Sequence, residues 1–365
     1  MKLSRTYALA AVMAAGTIAL SACSDNVAAS SDSGSGSGSS KIDCGTGNLN
    51  LSGSTAQAKA IDAWQSDFAA VCPDITVNYD GTGSGQGITD FTAGKTDFAG
   101  SDSYLKPEEA TAADAMCKTG KAINLPMVIS PVAIVYNIKG VDKLTLDAKT
   151  LAGIFSGTIT KWDDPAIVAL NKDAKMPSTT IGTVHRSKDS GTTDNFTKFL
   201  DKAGAGAWTF GTGKGWKAPG GEGAPDSAGV VSAVKATDGA ISYVDGSDAK
   251  GNNMTTALLD TGHGGVALDD ASVGKAVAAA TPAGTGNDLK VDINYGLSEA
   301  GAYPAVLVTY EIVCEKGKDA DKTKAIKAFL TYTSTDGQKK LSDIGYSPLP
   351  AELASKVQKA VAAIS

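Results

Sequence analysis

The sequence contains almost no arginine. Of its 33 basic residues only Arg5 and Arg186 are Arg, and the other 31 are Lys. Against 39 acidic residues this leaves a formal net charge of −6. An acidic chain without clustered Arg argues against a nucleic-acid partner, because phosphate backbones are met by grouped Arg and Lys. Histidine is equally scarce. His185 and His263 lie far apart, so a zinc enzyme is not expected, and nothing else in the chain implies a cofactor. Five Cys contain no CxxC pair, which argues against metal-ribbon or dithiol redox chemistry. No apolar run reaches the roughly 20 residues that a bilayer span requires. What remains, at 365 residues, 42% hydrophobic and 20% charged, is a globular composition of a length suited to two domains of roughly 150 residues.

The N-terminus reads as an address. Lys2 and Arg5 precede an apolar run from Tyr7 to Leu20, the order of a secretory leader. The run ends in Leu20-Ser21-Ala22-Cys23, which resembles the lipobox of bacterial lipoproteins and implies a signal peptide over 1–22 and acylation at Cys23. Residues 24–40, SDNVAASSDSGSGSGSS, hold no large apolar residue except Val27 and suit a flexible tether between a membrane anchor and a folded body. Loss of residues 1–22 removes Lys2 and Arg5 but no acid, which moves the formal charge from −6 to −8.

Four Cys remain: Cys44, Cys72, Cys117 and Cys314. An even number in an exported chain implies two disulfides. Cys72 ends an apolar helical stretch, Cys117 lies in a second helical stretch soon after, Cys44 opens the folded part and Cys314 ends a late strand, so of the three possible connectivities the favoured one is 72–117 with 44–314.

From residue 41 strands and helices alternate, which argues an α/β fold. Ile61, Trp64, Phe68 and Val71 recur at helical spacing. Residues 75–79 alternate as a strand, 128–136 form an apolar stretch interrupted by Pro131, and 305–313 form a strong strand. Three times a strand runs into Gly plus Ser or Thr and then a helix: at Ser54-Thr55, at Ser84-Gly85 and at Ser190-Gly191-Thr192. A helix N-terminus offers free N–H groups and the positive end of its dipole, Gly permits close approach, and hydroxyls add donors. Any one such site is an ordinary N-cap. Three in one chain point to seats for an anion. Arg186 lies four residues before Ser190, where strand end and helix start converge. Its planar fork grips an oxyanion through two bonds, which Lys does not do.

Competing motifs fail. The run 81–87 has Gln86 where a dinucleotide fingerprint needs its last Gly, and Gly94-Lys95-Thr96 lacks the first Gly of a P-loop. Ser24-Asp25-Asn26, Lys118-Thr119-Gly120 and Ser247 with Lys250 resemble pieces of a serine β-lactamase in the wrong order. His185 reads as structural or at a pocket edge rather than as a general base.

From residue 49 to residue 365 the chain resembles the phosphate-binding proteins of bacterial phosphate ABC transporters. The resemblance is carried by GSTAQ at 53–57, NYDGTGSGQGI at 78–88, DFAGSD at 97–102, ITKWDDPAI at 159–167, HRSKDSGTTDNF at 185–196, GAISYV at 239–244 and PLPAEL at 348–353. It implies a two-lobed, Venus-flytrap fold of periplasmic-binding-protein type, with phosphate held dry between lobes joined by a hinge of crossing strands. The lobes are expected at 41–130 with 300–365, and at 131–299. It implies a monomeric lipid-anchored receptor outside the cytoplasmic membrane that delivers phosphate to a permease, not an enzyme. The ligand positions carry over to Ser54, Thr55, Ala56 (through its backbone N–H), Ser84, Asp102, Arg186, Ser190, Gly191 and Thr192. One departure stands out. The family commonly reads R-x-D-G-S-G, whereas here Lys188 takes the acid's position and Asp189 follows one place along. The alternatives are a receptor for another tetrahedral oxyanion, such as sulfate or molybdate, and a secreted phosphatase on the same lobes.

Overall fold

The computed structural model describes residues 42–117 and 120–365. The leader, the Gly/Ser tether and Cys23 lie outside the described residues. The chain opens with β1 (Gly47–Gly53), α1 (Ala58–Val71), β2 (Ile75–Asp80), α2 (Ser84–Thr92), β3 (Phe98–Ser101), α3 (Pro107–Cys117) and the long β4 (Ala122–Asn137). It continues through β5 (Thr145–Asp147), α4 (Ala148–Phe155), α5 (Pro165–Leu170), β6 (Gly182–Arg186), α6 (Gly191–Ala203), β7 (Glu222–Ala224), α7 (Ser227–Ala236), β8 (Ala240–Asp245) and α8 (Gly246–Gly251). Short strands β9 (Thr255–Thr256), β10 (Leu258–Asp260) and β11 (Gly265–Val266) lead to α9 (Asp270–Ala278), β12 (Thr281–Pro282) and β13 (Val291–Asp292). The end is β14 (Val306–Cys314), α10 (Ala320–Ser334) and α11 (Ala351–Ala363).

The α/β alternation expected from the sequence is present as one curled mixed sheet in the order β2-β1-β3-β14-β4-β8-β6-β7. β4 joins its two halves. Residues Ala122 to Pro131 pair antiparallel with β14, and Val132 to Asn137 pair with β8. Its prolines sit where a missing N–H does least harm. Pro126 lies at the register shift opposite Thr309 and Tyr310, and Pro131 lies where the partner changes from β14 to β8.

Separate cores cover the two halves. The first gathers Leu51, Trp64, Phe68, Phe98, Val128, Val308, Phe329 and Val361. In the second half, β4 alternates with the two-residue period of a strand. Val132, Ile134 and Tyr136 enter a core with Phe155, Trp162, Phe196 and Tyr243, while Ala133 and Val135 enter another with Val184, Val230 and Val244.

Both disulfides exist, but their pairing differs from the expected one: Cys44 joins Cys72, and Cys117 joins Cys314. Strand register supplies the reason. β1 and β2 run parallel with Gly47 opposite Ile75, so Cys44 and Cys72, each three residues upstream, meet at a Cα separation of 5.5 Å. β14 ends with Cys314 opposite Ala122, which brings it to the end of α3, 5.4 Å from Cys117 between Cα atoms.

Candidate functional site

The three Ser/Thr–Gly turns converge, yet they are not three equal caps. Ser190 alone caps its helix through its side chain, accepting from Thr193 N–H at 3.4 Å. Ser84 lies inside the first turn of α2, whose cap is Gly83, and Ser54 lies three residues ahead of Gln57, which caps α1 without a side-chain bond. Freed from capping, both hydroxyls turn to one carboxylate. Ser54 donates to Asp102 Oδ1 at 2.5 Å and Ser84 donates to Oδ2 at 3.2 Å. A third hydroxyl, Thr309 of β14, donates to Oδ1 at 2.8 Å.

Asp102 is 2% exposed. Burial raises its pKa, and the three hydroxyls and the charge of Arg186 oppose that rise. Donors from three directions fit an ionised, acceptor-only carboxylate. Oδ2 receives one of these three and keeps capacity for a further donor.

Across from it stands Arg186, at the end of β6 and also 2% exposed. Its hydrogen bonds go to neutral oxygens: Nη1 donates to Thr55 Oγ1 at 3.0 Å and Ser190 Oγ at 3.2 Å, and Nη2 donates to the Pro225 carbonyl at 3.3 Å. Burial lowers its pKa, an effect opposed by Tyr243, Asp102, Asp226 and Asp248. Its Nε, and the hydroxyl of Thr192 in the first turn of α6, are buried without a protein partner. A buried cation with an unspent donor, beside a buried hydroxyl and a helix N-terminus, suits an oxyanion.

Glycine lets the halves close on each other. A Cβ at Gly191 would lie 2.5 Å from Asp102 Cβ and 2.6 Å from Ser84 Oγ. A Cβ at Gly85 would lie 2.5 Å from Asp189 Cβ. Asp189 is exposed and packs over this Gly-rich loop. It accepts none of the Arg186 hydrogen bonds above, so the shifted acid does not take over the orientation of the arginine. Thr55, Ser190 and the Pro225 carbonyl do that. Ala56 N–H, expected to face a ligand, donates to Ser54 Oγ at 3.0 Å.

Several contributors escaped the motif reading. Asn195 Nδ2 bridges the halves, donating to the Asp102 carbonyl at 2.6 Å and the Gly191 carbonyl at 2.8 Å, and Tyr295 donates to its Oδ1. Ser103 donates to Asp194 at 2.6 Å, and Lys214 pairs with Glu109 at 2.7 Å. The sequence signal for Thr309 was a polar residue in an otherwise apolar strand; Glu311, two residues on, is another. His185 is structural: its ring stacks on Trp216 at 4.9 Å and its Nδ1 lies 3.0 Å from the Arg186 carbonyl. A cavity of about 450 Å³ opens beside Asp102, lined by Tyr104, Tyr295, Lys198 and Lys202 among others. Among the described residues no cluster of three or more His, Cys, Asp or Glu could hold a metal, and no helix is long and apolar enough to cross a membrane.

Comparison with known proteins agrees with this geometry. Residues 29–336 match the model of the PBP superfamily domain. The chain is 45% identical to phosphate-binding protein PstS 3 of Mycobacterium tuberculosis and 43% identical to that of Mycobacterium leprae, each match covering 100% of both chains. It is 33% identical to phosphate-binding protein PstS of Xylella fastidiosa over 82% of this chain and 80% of that one. Among solved structures, a high-affinity periplasmic phosphate-binding protein with bound phosphate superposes with a TM-score of 0.69 at 24% identity, covering 86% of this chain and 93% of that one. That likeness shows the two-lobed binding-protein fold.

Proposed function

The chain belongs to the phosphate-binding proteins of the PBP superfamily, and on that premise we propose that it is an extracytoplasmic receptor which binds inorganic phosphate between its lobes and hands it to an ABC importer. It is a binding protein, as its relatives are, and not an enzyme. The observation that carries the reading is the pairing of Asp102 with Arg186. A guanidinium with an unspent Nε calls for an oxyanion, while a buried carboxylate close enough to feel its charge repels one. A dianion facing such a carboxylate at 4 Å loses about 4 kcal/mol for each pair of unit charges at an effective dielectric of 20. Only a ligand that brings its own proton turns that repulsion into a hydrogen bond. Monobasic and dibasic phosphate carry such a proton near neutral pH and sulfate does not, so Asp102 selects phosphate by leaving sulfate opposite a buried negative charge to which it can donate nothing.

In this reading Ser54, Thr55, Ala56, Ser84 and Asp102 line the ligand from the lobe of residues 41–130 and 300–365. Arg186, Ser190, Gly191 and Thr192 face it from the lobe of residues 131–299. Ligand completes a shell that spans both lobes and so favours the closed state. The closed protein docks as a monomer on its permease, held to the membrane by acylated Cys23 and the tether of residues 24–40. Calorimetry with phosphate, arsenate and sulfate tests the assignment: phosphate and arsenate bind and sulfate does not. Tight sulfate binding would overturn it.

A further inference from the structure

Behind Asp102 lies a second carboxyl that the site described above does not use. Glu311 follows Thr309 by two residues on β14, so both side chains leave the same face of that strand. Glu311 is 1% exposed, and neither of its carboxyl oxygens has a hydrogen-bond partner. Gln57, itself fully buried, has the same deficit at Oε1. Its Nε2 is used: it donates to Tyr79 Oη at 3.1 Å, and Tyr79 donates to the Ser54 carbonyl at 2.6 Å. Gln57 fits there because residue 100 is Gly, where a Cβ would collide with its amide nitrogen. Gln57 and Glu311 act on each other through their side chains, and with the Gln57 oxygen and both Glu311 oxygens unpartnered a proton on Glu311 supplies the missing donor.

We propose that Glu311 is a positioning residue for phosphate: it keeps its proton, donates it to Gln57 Oε1, and through Gln57 and Tyr79 fixes the turn at Ser54 that faces the anion. The neutral form also spares the site a second negative charge behind Asp102. This rests on the phosphate reading and adds to it a residue and a pH dependence.

The surroundings favour the neutral form. Burial pushes the Glu311 pKa from 4.5 up to about 8, the Gln57 side chain opposes the rise, and the charge of Asp102 adds a smaller push in the same direction as burial. The ionisable groups around it are Asp102 after β3 and Tyr79 on β2. Asp80 acts on Tyr79 from the end of β2, and Arg186 acts on Asp102 from β6. β4 presents Leu125 opposite, and β3 presents Gly100. The sign follows from linkage. The folded protein holds this proton more tightly than the unfolded chain, so the associated stability is complete below pH 4.5 and is lost as pH rises through about 8. Bound phosphate, being an anion, must raise the same pKa, and ionised Glu311 must weaken phosphate by the same factor.

The experiment compares phosphate affinity of the full chain at pH 7 and pH 9 with that of Glu311→Gln, which keeps a donor and cannot ionise. Phosphate speciation changes identically for both proteins, so the difference isolates Glu311. The unmodified protein is expected to lose about tenfold more affinity than the variant between the two pH values. Infrared spectra of unmodified protein with isotope-labelled glutamate provide the second measurement, independent of whether the variant folds. They should show a carboxylic-acid C=O stretch at pH 7 that disappears above pH 8 and persists to higher pH with phosphate bound. Parallel affinity profiles, or no such band at pH 7, would overturn the inference and leave the phosphate reading intact. Failure of the unmodified protein to bind phosphate at pH 7 would overturn both.

Discussion

The two walls of the cleft solve opposite problems. The wall built from β1, β3 and β14 carries the negative charge and satisfies it internally, with the hydroxyls of Ser54, Ser84 and Thr309 all spent on Asp102. The wall built from β6 and α6 carries the positive charge and leaves it short, with Arg186 bonded to neutral oxygens and its Nε and the Thr192 hydroxyl unpartnered. In the function we propose, a self-sufficient acid and an under-supplied base across one interface act as a filter rather than a salt bridge: the base wall attracts any oxyanion, and the acid wall admits only one that can donate a proton.

The largest expected break in this contrast is Arg186→Ala. Calorimetry should show phosphate binding weaker by about 2–5 kcal/mol, because the anion then lies buried without its cation. Asp102→Asn comes next and should show itself in discrimination: sulfate binding improves and its gap to phosphate narrows by about 1.5–3 kcal/mol, read from competition titrations. Thr309→Val keeps the shape of the side chain but removes one donor from Asp102. It should weaken phosphate by about 1 kcal/mol, with sulfate still rejected. Lys214→Ala removes an ion pair that crosses between the halves at 2.7 Å. Since Glu109 is partly exposed, the effect is expected to be about 1 kcal/mol or less, visible in stopped-flow as faster phosphate release. Asp189→Ala should change affinity by no more than about 0.5 kcal/mol; a large loss would mean that the exposed acid orients Arg186 after all.

Much of the site was legible because its chemistry is local. Arg186 and the Ser190-Gly191-Thr192 turn lie within seven positions on one strand–helix connection, and the scarcity of arginine drew attention to the one that remains after the leader. Thr309 and Tyr295 were not legible, because each reaches the site from an element far away in sequence and carries no motif of its own; Asn195 lies inside the run 185–196, but its bond to the Asp102 carbonyl depends on a residue 93 positions away. The turn at Ser54 shows the intermediate case. Its residue types announced an anion seat, but whether its hydroxyl caps a helix or holds a carboxylate depends on where β3 delivers Asp102.

The same division holds for the whole molecule. The sequence by itself determined the α/β alternation, the turns that form the site and the presence of two disulfides, since periodicity, turn chemistry and an even cysteine count act over a few residues. Only the tertiary structure decided which cysteines pair, which hydroxyls serve Asp102 and that Glu311 lies unpartnered behind it. Those outcomes depend on the parallel register of β1 with β2 and the antiparallel register of β14 with β3 and β4. Register is fixed by packing between strands that are distant in the chain, and no short stretch of sequence carries it.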